Sequence, residues 1–201
     1  MYVQTFIKGI ADDANGGISW VEAQALLQQE DGIYSNWWRS LRKITASQIS
    51  QILTDANLDR HLHDYNSYGP QSPFISLAAG CIERDALLRQ NSLYSAQDTA
   101  LEFATGAFAH AGVLFFGWII VGLNPAVKVS SVAESVRELN VYHRWSPYQV
   151  EGEITAKIHI PANQIERAEW WSPTQPASPV AVFSNPNYQS PTPIVNLREY
   201  F

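Results

Sequence analysis

Apolar residues recur along this chain at helical spacing near the start and at strand spacing further on. Ser19-Trp-Val-Glu22 has the form of a capping box, and Trp20, Ala23 and Leu27 then mark one helix face. Thr45-Ala-Ser-Gln48 repeats the form ahead of Ile49, Ile52, Leu53 and Ala56, with Asp55 and Asn57 suited to a helix end. Residues 1–57 are therefore expected to be a helical N-terminal segment, a cap in which Trp37-Trp38-Arg39 packs on the domain behind it.

From Leu58 to Trp171 the pattern predicts alternating strands and short helices. Leu58–His63 reads as a short strand, Tyr65–Pro70 as a loop, and Ser72–Leu77 as a second strand. Ser95 to Asp98 caps a helix carrying Ala100, Phe103, Ala104, Ala107 and Phe108 on one face. Val113–Val121 is apolar without a break, as befits a strand covered on both sides. Ser131 to Glu134 opens a further helix with Val132, Val136 and Leu139 inward. In Val150–Ile160, Val150, Ile154, Ala156, Ile158 and Ile160 alternate with Glu151, Glu153, Thr155, Lys157 and His159, which predicts one strand with a wet face. Trp170 and Trp171 close the core, and residues 172–201 form a Pro-rich tail.

Composition narrows the class. With 46% hydrophobic and 16% charged residues in 201, the chain is neither disordered nor a coiled coil. Thirteen Lys and Arg against nineteen Asp and Glu, a net charge of −6, argue against broad phosphate-backbone binding. The single cysteine, Cys81, rules out an internal disulfide framework or a cysteine cluster, and reads as a buried thiol. The longest apolar run, residues 112–123, falls short of the ~18 residues that cross a bilayer, so no membrane partner is expected. Residues 1–20 hold Lys8, Asp12 and Asp13 and no signal core, which makes a cytoplasmic start the default, although non-classical export would look the same. Asn15-Gly-Gly17 is a turn without the spacing of a phosphate-cradling loop.

Two constellations carry chemistry. Glu151 and Glu153, two apart on a strand, stand roughly 6.5–7 Å apart at the backbone and can converge on one ligand; the plain alternative is a solvated face. His61 and His63 with Asp64 raise a metal reading, but no second His/Asp cluster recurs, so no metal is expected.

Several short motifs stand in a telling order: Arg60 behind Leu58, Phe74-Ile-Ser76-Leu, Thr99-Ala-Leu-Glu-Phe-Ala104, Glu151-Gly-Glu153-Ile, and Ile160-Pro161. In that order the segment from Arg60 to Trp171 resembles the mono-ADP-ribosyltransferase superfamily, in its toxin-type branch with an Arg–Ser–Glu sequence of motifs. The resemblance implies an α+β protein with a split β-sheet core over residues 58–171. It implies an enzyme that moves ADP-ribose from NAD, its substrate, to a macromolecular acceptor, protein arginine being the one suggested by Glu-x-Glu. An effector or toxin role would follow from family habit alone. Glu153 would stabilise the positive charge on the ribose, Glu151 would orient the acceptor nucleophile, Arg60 would grip phosphate and ribose oxygens, and Ser76 would hold the catalytic glutamate. His61 would border the cleft, and Tyr65, Tyr68 and Phe74 would offer rings to nicotinamide or adenine. Tyr148 and Gln149 would face the acceptor. Two alternatives stay open. Gln149-Val-Glu151 spells the Gln-x-Glu form of members that modify other acceptors, including nucleic-acid bases. The serine motif continues as Leu77-Ala78 rather than Thr-Ser, which also fits a silent nucleotide- or peptide-binding module.

Overall fold

The computed structural model describes residues 2–29, 31–40, 45–78, 96–121 and 153–191. Among these, strands β1 (Tyr2–Ala11), β2 (Ile33–Tyr34), β3 (Phe74–Ala78), β4 (Gly112–Val121), β5 (Glu153–Lys157), β6 (His159–Ile160), β7 (Ile165–Trp171) and β8 (Ala181–Ser184) form two sheets. The larger has the order β5-β3-β1-β4-β7-β8 with antiparallel neighbours, and β2 pairs with β6. Helices α1 (Trp20–Gln28), α2 (Asn36–Ser40), α3 (Ala46–Ile52), α4 (Asp55–His63), α5 (Tyr65–Tyr68) and α6 (Ala96–Thr105) complete an α+β fold.

Both capping boxes form: the Ser19 and Thr45 side chains accept from the backbone N–H groups of Glu22 and Gln48, which reach back in turn. The helical reading of residues 1–57 fails at its start. Tyr2–Ala11, rich in aromatic and β-branched residues, is a central strand whose register on β4 runs from Tyr2 opposite Val121 to Ala11 opposite Gly112. Its partner lies a hundred residues away, so local pattern could not reveal the pairing. The tail also contributes to the sheet, since β8 pairs with β7.

Leu58–His63 is helical, not a strand. Thr54 accepts from the Asn57 N–H, and Leu58, His61 and Leu62 bury one helix face at i, i+3, i+4 spacing, against Phe74 on the neighbouring strand. The predicted strand over 150–160 breaks at Ile158, whose φ of 60° is a strained left-handed value for a β-branched residue. Two bonds hold it there: its N–H donates to the Pro73 carbonyl and its carbonyl accepts from Ser35, both at 2.7 Å. The chain leaves the large sheet at that point and enters the small one. Thr155, expected on a wet face, is buried.

One core cluster joins α1 and the small sheet to the large sheet through Leu27, Ile33, Phe115 and Ile160. Another packs α6 on the opposite face through Ala100, Ala104 and Leu114. The helix approaches closely because two glycines lie beneath it: a Cβ on Gly9 would collide with the Ala100 carbonyl oxygen, and one on Gly112 with that of Ala104. Strands β1 and β3 share one partner pair among the described residues, Ile7 with Ala78. Beyond it they part, and a cleft opens between them.

Candidate active site

That cavity has a volume of about 510 Å³, in the range of small-molecule sites. Residues 7–11 of β1 and 74–78 of β3 form its diverging walls, with Ser35, Asn36 and Arg39 from the β2–α2 segment, His61 from α4, and Thr99, Ala100 and Phe103 from α6. Tyr65 and Phe103 remain exposed at its rim.

His61 joins two serines at the cavity wall. It is only 2% exposed, yet both ring nitrogens meet hydroxyls: Nε2 lies 2.9 Å from Ser76 Oγ and Nδ1 2.8 Å from Ser72 Oγ. The Tyr65 ring stands edge-on at 5.3 Å and the Phe74 ring tilts against it at 5.6 Å. Burial pushes the imidazole down from 6.5 to about 4, and the Lys8 charge acts in the same direction. The ring is therefore neutral near pH 7, with one nitrogen donating and the other accepting.

Of the residues that the sequence singled out, His61, Tyr65, Phe74 and Ser76 line this cavity together. Arg60 does not line it. On α4 it faces away from the buried Leu58–His61–Leu62 side, exposed to solvent, with its guanidinium 4.2 Å from the centroid of the Tyr68 ring. Tyr68 is buried beneath it, and its hydroxyl has no partner among the described residues. Burial raises the Tyr68 phenol above its ordinary value, a shift that Arg60 opposes. Helical spacing also separates His61 from His63, which pairs with Asp59 on the surface at 3.6 Å. Among the described residues no group of three or more His, Cys, Asp or Glu is arranged to hold a metal.

Backbone register places Glu153 opposite Ala78 and Thr155 opposite Ser76, so the glutamate's position is one diagonal step from the serine. The Thr155 hydroxyl is buried and without a partner among the described residues. Glu151, Tyr148 and Gln149 lie outside the described residues, as do Cys81 and the helix expected from Ser131.

Sequence reasoning missed Lys8 and Arg39, two cations that do line the cavity. A signal for Lys8 existed: it is a lone charge inside an apolar, β-prone run and is followed by a glycine. Reading that run as helix hid it. Arg39 sits in α2 directly behind Ser35 and Asn36, a segment held in place by the Trp37 N–H donating to the Ser72 carbonyl.

No family model matches the sequence, and no curated protein matches it either. Solved structures do resemble it. EcPltA aligns over 96% of this chain and 97% of its own at 15% identity, with a TM-score of 0.47. The catalytic domain of the mosquitocidal toxin from Bacillus sphaericus aligns over 96% of this chain and 63% of its own at 13% identity and a TM-score of 0.44. An A-subunit mutant of heat-labile enterotoxin aligns over 92% of this chain and 75% of its own at 10% identity and a TM-score of 0.35.

Proposed function

We propose that this protein is an NAD-dependent ADP-ribosyltransferase whose dinucleotide occupies the cleft between β1 and β3. The observation that carries the reading is the convergence of Lys8, His61 and Ser76 on one cavity, with the Glu153 backbone position beside Ser76. The order of sequence motifs adds support at Ser76 and Glu153, independently of the cavity.

Lys8 and Arg39 supply the positive charge that a diphosphate needs in a partly closed site. Tyr65 and Phe103, at the rim, give planar rings for a base or for nicotinamide to lie against. The bond between the nicotinamide nitrogen and the ribose breaks, its electron pair leaving with nicotinamide. The positive charge that develops on the ribose is met by the Glu153 carboxylate. Ser76, held by His61, orients that carboxylate and the nicotinamide side. The acceptor's nucleophile then bonds to the ribose carbon and gives up its proton, with Glu151 as the accepting base. Protein arginine is the acceptor that Glu-x-Glu favours. A net charge of −6 disfavours the nucleic-acid reading through Gln149 and Glu151. Arg60, stacked on Tyr68 outside the cavity, takes no part in gripping the dinucleotide.

Incubation with NAD labelled in its adenylate portion, with a cell lysate as acceptor source, tests the reading. Free nicotinamide and labelled protein are expected, and Glu153→Gln should slow both by about 10²–10³-fold. Failure to release nicotinamide, with no label transferred and no NAD-dependent rise in melting temperature, would refute it. Label confined to nucleic acid would overturn the choice of acceptor.

A further inference from the structure

Ser72 precedes β3, carries no motif, and lies behind His61 rather than in the cavity. It is nevertheless hydrogen-bonded through every polar atom it has. Its N–H donates to the Gly69 carbonyl, its carbonyl accepts from Trp37, and its hydroxyl is buried between the Phe74 N–H at 3.1 Å and His61 Nδ1 at 2.8 Å. We infer that Ser72 is a positioning residue: it selects the His61 tautomer with the proton on Nε2, and thereby turns the Ser76 hydroxyl proton outward into the cavity.

The donor count decides the tautomer. The Phe74 N–H can only donate, so the Ser72 oxygen is already an acceptor there. Were His61 protonated at Nδ1, Ser72 would accept a second time, and its own buried O–H would have no acceptor among the described residues. An unsatisfied buried hydroxyl is costly. With the proton on Nε2, every group is used: Ser72 O–H donates to Nδ1, and Nε2–H donates to Ser76 Oγ. Ser76 then accepts from the ring and keeps its own proton for an acceptor in the cleft. The opposite tautomer would spend that proton on His61 and leave Ser76 with none to give. The consequence for turnover rests on the ADP-ribosyltransferase reading; the tautomer itself does not.

Nitrogen-15 NMR of the full-length protein, labelled at histidine, reads the protonated ring nitrogen directly. His61 should be protonated at Nε2 in the wild type. Ser72→Ala should populate both tautomers, and Ser72→Thr, which keeps a hydroxyl, should restore the wild-type pattern. In nicotinamide release, Ser72→Ala should lower kcat in proportion to the loss of the Nε2-protonated ring, about twofold at equal populations, with KM for NAD nearly unchanged, and Ser72→Thr should recover it. A wild-type ring protonated at Nδ1 would overturn the inference, as would a Ser72→Ala protein with an unchanged tautomer. Should Ser72→Ala fail to fold, the wild type and Ser72→Thr still decide, since both must show the Nε2 proton. The expected tautomer in a protein that releases no nicotinamide would leave this inference standing while removing the proposed function.

Discussion

A neutral, buried His61 ties stability to pH. In the unfolded chain its imidazole titrates near the ordinary 6.5, and in the folded protein at about 4, chiefly because burial penalises the charged ring and secondarily because Lys8 repels it. The folded pKa is the lower one, so the unfolded state takes up the proton first as pH falls. The His61 contribution is therefore complete above 6.5, shrinks as pH drops, and is spent once the folded ring also protonates near 4. Two-state linkage with these values gives a loss of about 2 kcal/mol near pH 5 and about 3 kcal/mol near pH 4. Urea unfolding of the wild type and of His61→Gln, which cannot titrate, isolates this loss, because the carboxylates common to both proteins cancel in the difference. The gap in stability should close on the wild type's side by about 2–3 kcal/mol between pH 7 and pH 4. A difference that does not change with pH would show that His61 titrates near its ordinary value, and the tight Ser72–His61–Ser76 packing would be wrong.

The same geometry sets three further outcomes. Lys8→Ala should weaken NAD binding by roughly 10–100-fold in titration calorimetry, whereas Arg60→Ala should leave it within about twofold, since only the first lines the cavity. Gly9→Ala should cost about 1–3 kcal/mol or more in denaturant unfolding, because the new methyl meets the Ala100 carbonyl. Ser19→Ala removes a formed capping box and should cost about 1 kcal/mol, read as a lowered melting temperature.

The parts of the fold written in local chemistry were legible. Capping boxes at Ser19 and Thr45, a helix over Ala96–Thr105 and the unbroken apolar run of β4 announce themselves within a dozen residues, although that helix stops short of the expected Ala107 and Phe108, which lie at positive φ, and leaves Phe103 exposed. What escaped depends on distant partners. β1 is central only because it meets β4, and β8 is a strand only because β7 offers an edge. Alternation along 150–160 concealed the turn at Ile158, since a left-handed β-branched residue survives only through its bonds with Pro73 and Ser35. The site shows the same division. Ser76 stood out through its motif, and His61 through its place beside Arg60. Mistaking α4 for a strand reversed the facing of Arg60, because spacing on a helix buries residues 58, 61 and 62 and turns 60 outward. Lys8, Arg39 and Ser72 belong to no motif and acquire their place only when β1, α2 and β3 come together.

The most direct measurement is a crystal structure of the protein bound to NAD or to a non-cleavable analogue. The dinucleotide should lie in the cleft between β1 and β3, its diphosphate within hydrogen-bonding distance of the Lys8 ammonium and its nicotinamide ribose beside Ser76 and Glu153. A ligand bound elsewhere, or a cleft still empty at saturating NAD, would contradict the assignment of this site.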